Sequence, residues 1–138
     1  MARQPRPQGG KVNRIFFATR EAWPAVREQL PGALRDLAAA SDFEAQAGRH
    51  VIAASEKGGL DVLLGEGKGD APERDGFLAG KLVSLLPAGQ YHFANQPAGG
   101  SRGLEDAVLG WLLSSYRFEK YRKAQGALPQ LVMPAGID

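Results

Sequence analysis

From residue 13 onward, short apolar runs alternate with longer stretches in which apolar residues recur every three or four positions. NRIFFAT (13–19) is of the first kind and predicts a strand. REAWPAVREQL (20–30) is of the second, with Trp23, Val26 and Leu30 at helical spacing and Thr19 placed to cap its start. Pro24 is tolerable there because it falls in the first turn. Pro31-Gly32 interrupts, and ALRDLAAA (33–40) resumes through Leu34 and Leu37, predicting two short helices or one that breaks. DFEAQAGRHVIAAS (42–55) reads as two extended runs with a turn near Gly48, and EKGGL (56–60) as a hairpin turn in which Gly58-Gly59 supplies positive φ.

LDVLLG (60–65) is the best strand of the chain. EGKGDAPERD (66–75) predicts a loop, and GFLAGKLVSLL (76–86) a helix presenting Phe77, Leu78, Leu82 and Leu85 or Leu86. GQYHFAN (89–95) sets Tyr91 and Phe93 against Gln90 and His92, as a half-buried strand would. QPAGGSRG (96–103) is a loop, residues 104–124 form the longest helix, and LPQLVMP (128–134) is a last short strand closed by Pro134. Strands followed by helices several times over predict an α/β domain with a mixed sheet. The 138 residues suit one domain, with residues 1–12 as a flexible tail rich in Pro, Gln and Gly and residues 13–138 as the folded unit.

The stretch SSYRFEKYRK (114–123) interleaves aromatics with four cations and raises the question of nucleic acid. On a 3.6-residue period Leu104, Val108, Trp111, Ser115 and Phe118 share one stripe, with Ala107 and Leu112 beside it and Tyr116 and Tyr121 at its two sides. Arg117, Lys120 and Lys123 point elsewhere. A single-strand platform needs aromatics and cations on one face, so this is read as a core-packing helix with a basic end that complements its dipole. Net charge is +2, placed at two ends: Arg3, Arg6, Lys11 and Arg14 with no acid, and Arg117, Lys120, Arg122 and Lys123 against Glu119. The 101 residues between hold nine cations and 13 acids, which argues against a general nucleic-acid surface. Arg117, Lys120, Arg122, Lys123 and Lys68 remain the candidates for an anion or partner surface.

No cysteine is present, which excludes disulfides and thiolate metal sites. No apolar run reaches membrane-spanning length, and the N-terminus has no h-region of a secretory signal. GEGKGD (65–70) follows a strand and precedes a helix, where phosphate loops lie. Yet Lys68 is followed by Gly69 and Asp70 rather than a hydroxyl residue, Gly65, Gly67 and Gly69 merely alternate, and Glu66 and Asp70 would repel phosphate. His50 and His92 are far apart on predicted strands, and Glu105-Asp106 and Glu73/Asp75 fall near helix starts, where acids favour the dipole. No HExxH, GxSxG or Ser/His/Asp set occurs, so no catalytic, metal or cofactor residue is assigned.

LGWLLSSYRFEKYRK followed by LPQLVMP resembles the end of the N-terminal domain of M17-family leucyl aminopeptidases (cytosol aminopeptidases), in particular their shorter bacterial members. LLGEGKGD resembles that family's Gly-rich loop after a central strand, and LVSLLPAGQYHF its helix, LPxGxY turn and strand. The resemblance spans roughly residues 13–135. It implies a three-layer α/β/α sandwich with a mixed sheet, macro-domain-like, serving as an accessory domain. Catalysis in that family belongs to a separate C-terminal domain that binds two divalent metal ions, zinc or manganese, and carries the signature NTDAEGRL, which this sequence lacks. The implied role is a non-catalytic assembly or regulatory domain of a cytoplasmic, hexameric peptidase, with its own catalytic domain as first partner. The chain ends where a linking helix would begin, as in a domain cut from a longer protein. The alternative is a stand-alone macro-like module for a nucleotide, ADP-ribose or nucleic acid.

The helix phase is testable. Trp111→Ala is expected to destabilise by about 3–5 kcal/mol if the ring is fully buried, whereas Lys120→Ala should stay within roughly 0.5 kcal/mol. Chemical denaturation of both variants checks the assignment, and the reverse ranking would refute it.

Overall fold

Residues whose side chains alternate between two apolar environments build the centre of the molecule. The computed structural model describes residues 13–55, 58–68, 78–122 and 129–134, with the backbone alone for 119–122. Strand β1 (Asn13–Thr19) sends Ile15 and Phe17 to one face and Phe16 and Ala18 to the other. Strand β3 (Leu60–Gly67) does the same with Val62 and Leu64 against Leu63. Burial on both faces is why both sequences read as nearly continuous apolar runs.

Five strands form one mixed sheet in the order β2-β3-β1-β4-β5. β1 pairs in parallel with β3 and with β4 (Gly89–Phe93), and β4 pairs in parallel with β5 (Pro129–Leu131). β2 (His50–Ala54) runs antiparallel to β3 through a hairpin whose Ser55 N–H donates to the Gly59 carbonyl at 2.7 Å, with Gly58 at φ +94°. Two short helices, α1 (Trp23–Gln29) and α2 (Gly32–Ala40), break at Pro31 and cover one face with Trp23, Leu30, Leu34 and Ala38. Helix α3 (Lys81–Leu85), the 3-10 turn before it (Leu78–Gly80) and α4 (Gly100–Arg122) cover the other. The result is the expected three-layer α/β/α arrangement.

Two asparagines extend the ladder around β1. Asn13 Nδ2 donates to the Gln90 carbonyl at 2.9 Å while its Oδ1 accepts from Leu60 N–H at 2.8 Å, tying the starts of β3 and β4 together. At the other end the Asn95 side chain accepts from Phe17 N–H at 2.7 Å and donates to the Phe17 carbonyl at 2.9 Å. That amide replaces the next residue of β4 after the chain has turned away towards α4. On the α1–α2 face Asp61, 2% exposed, is held by the Arg14 guanidinium, with Nε and Nη2 donating at 2.9 and 3.2 Å to its two oxygens. The pair is formed by directly opposed residues of β1 and β3, so the buried charge is met by a bidentate partner.

Several expectations are corrected. Residues 42–48 form no strand, because Asp42, Ala45 and Gly48 all take positive φ and bend the segment. Leu37 and Leu112 are exposed rather than inward, with Ala38 and Trp111 buried beside them, and of Leu85 and Leu86 it is Leu86 that is buried. Helix α4 begins at Gly100, four residues before Leu104, so Glu105 and Asp106 lie past its first turn. The helix expected over 76–86 is a 3-10 turn followed by a short α-helix, and the last strand is three residues long. Thr19 does not cap α1, whose N-cap is Ala22 with no side-chain cap; the Thr19 Oγ1 accepts the Ala22 N–H at 3.1 Å and closes the turn that leads into the helix. The N-terminal tail, Phe77 and the Glu73/Asp75 pair lie outside the described residues.

Tyr91 carries a pH signature. It is fully buried beside Trp111, its hydroxyl donates to the Pro87 carbonyl at 2.8 Å, and burial pushes the phenol up to about 12 from its ordinary 10.0. The folded state thus favours the neutral phenol, and its contribution to stability is complete below pH 10 and lost as pH rises from 10 towards 12. Denaturation midpoints across that window are expected to fall more steeply for the wild type than for Tyr91→Phe. Equal slopes would contradict the burial argument.

Candidate functional site

In open α/β sheets ligands bind at the carboxyl ends of parallel strands, so the GEGKGD segment is the first place to build a site. Gly65 and Gly67 lie inside β3, not in a loop after it. The Gly65 N–H donates to the Arg49 carbonyl at 2.7 Å and the Gly67 N–H to the Ala45 carbonyl at 2.8 Å, while Gly48 N–H returns a bond to Gly65 O at 2.9 Å. The Gly65 and Gly67 N–H donors are therefore spent on segment 45–49. A Cβ at Gly65 would collide with the Gln46 carbonyl, and Gly67 sits at φ +72°. This close crossing by itself accounts for both glycines. Gly69 and Asp70 lie outside the described residues.

Glu66 shows the same economy of polar groups. β1 and β3 slip by one residue here, Ala18 facing Gly65 and Thr19 facing Gly67, so Glu66 is the extra residue of a bulge. Its buried carboxylate accepts the Ala98 N–H at 3.1 and 3.2 Å, anchoring the approach to α4. Arg20 N–H donates to Gly67 O at 2.9 Å and closes the end of β1. Among the described residues, the Gly65 and Gly67 amides and the Glu66 carboxylate at this end of the sheet are thus engaged by the protein's own groups.

Of the candidate cations Lys68 and Arg117 have described side chains, and these two are not brought together. Lys68 is exposed just past β3, near the start of α4 through Glu66 and Ala98. Arg117 is exposed seventeen residues into α4, about 25 Å along the axis from its start. Lys120 and Arg122 are on the same helix, but their side chains are outside the described set, and Lys123 lies outside it altogether. The core stripe of α4 is as expected: Leu104, Ala107, Val108 and Trp111 are buried, and Phe118 packs on the same cluster. Sequence reasoning missed a second stripe on the outer side, formed by the exposed Leu109, Leu112, Leu113 and Tyr116. The signal was there in their i, i+3, i+4, i+7 spacing.

His50 is exposed on β2 and His92 half-buried on β4, with β3 and β1 between them; that separation is about 14 Å at normal strand spacing. Among the described residues no three His, Asp or Glu side chains gather as metal ligands, and no helix is long and apolar enough to cross a membrane.

Known proteins supply the context for this arrangement. A family model described as the M17 aminopeptidase N-terminal domain matches residues 18–134. The fold is similar to that of a cytosol aminopeptidase from Coxiella burnetii, with a TM-score of 0.67 and 25% identity over 91% of this chain and 27% of that one. It is also similar in fold to a mutant tomato leucine aminopeptidase, with a TM-score of 0.62 and 15% identity over 92% of this chain and 31% of that one. The chain thus spans between a quarter and a third of the solved chains it matches. By sequence it matches no curated protein.

The crossing at Gly65 separates a structural from a ligand-binding role. Gly65→Ala is expected to destabilise the protein by about 1–3 kcal/mol through overpacking against the Gln46 carbonyl, with no ligand present. Thermal unfolding checks this. A variant as stable as the wild type would return the glycine to the ligand-binding alternative.

Proposed function

The chain belongs to the M17 aminopeptidase family, as an N-terminal domain, and from that premise we propose that it is the non-catalytic assembly part of a metal-dependent leucyl aminopeptidase that releases N-terminal amino acids from peptides. The observation that carries the reading is the use made of its buried acids. Asp61 and Glu66 are the buried carboxylates among the described residues, and they hold Arg14 and the Ala98 N–H respectively. Both serve the fold, in a chain that covers 27% of its solved neighbour from Coxiella burnetii.

In this reading the peptide chemistry belongs to a catalytic domain of the same polypeptide. Two divalent ions held there, zinc or manganese, would activate water for attack on the peptide carbonyl. Such a site needs converging carboxylates; the described residues of this chain provide no such set, and no step of the reaction is assigned to them. The domain's own task is to pack against the catalytic domain and to shape a homo-oligomer, a hexamer as the family resemblance implies, in the cytoplasm. The inward carboxylate of Glu66 weighs against a phosphate-bearing nucleotide at the Gly-rich segment.

An antibody raised against the domain gives the test. In cell extracts it is expected to detect a product several times heavier than 14.7 kDa, and the purified long protein should hydrolyse leucyl peptides in a manner abolished by chelation and restored by Zn or Mn. A product of 14.7 kDa with no such hydrolysis would overturn the proposal and direct attention to ADP-ribose and nucleic-acid binding.

A further inference from the structure

We draw no further inference here: the strongest candidate, the exposed apolar face that Leu109, Leu112, Leu113 and Tyr116 form on the outer side of α4, carries none because nothing in the structure shows what covers it.

Discussion

Pairing β1 on both edges and burying it on both faces is the constraint from which the rest of this domain follows. Its left and right neighbours, β3 and β4, are held parallel to it, and parallel neighbours force the chain to cross from one end of the sheet to the other through a helix. Those crossings put α1 and α2 on one face and α3 and α4 on the other, which supplies the two layers that β1 needs. The ladder is kept intact to its ends by the Asn13 and Asn95 side chains, each of which stands in for backbone where the neighbouring strands start or stop. Exchange of either for a residue without an amide would leave strand-end backbone groups unpaired.

The same closure determines where function can reside. The carboxyl ends of the strands are the usual ligand position, but here a bulge, a buried glutamate and a crossing of backbone over Gly65 and Gly67 occupy that end. Among the described residues the far side of α4 is outward and carries exposed Leu109, Leu112, Leu113 and Tyr116. The fold so built is that of an N-terminal domain of the M17 aminopeptidase family.

Legibility in the sequence tracked how local each determinant was. β1 and β3 were readable because burial on both faces leaves an apolar run, and the Pro31-Gly32 break because proline acts on its own neighbours. The inner stripe of α4 was readable from its period, and the family resemblance from its Tyr-Arg-Phe segment. The bend at 42–48 was not: Ala45 at φ +62° has no local signature, and its conformation follows from pairing with Gly67 some twenty residues away. Leu112 was placed inward because a leucine beside a stripe reads as core, yet with Trp111 filling the space below, the helix turns it outward. The bidentate contact of Arg14 with Asp61 and the role of Glu66 depend on strand register, which composition does not reveal.

The position of β1 also governs the order in which the molecule can assemble. It is made before both of its partners, yet it ends in the middle of the sheet, with those partners beginning at Leu60 on one side and Gly89 on the other. During synthesis its two hydrogen-bonding edges must stay open while those residues emerge, and non-local parallel pairing is slow to form. A nascent or truncated chain that stops short of β4 would present a bare, flat, apolar edge able to recruit strands from its neighbours. The arrangement that makes the finished domain so well closed thus leaves its unfinished form the more dependent on protection until about residue 93 has been added.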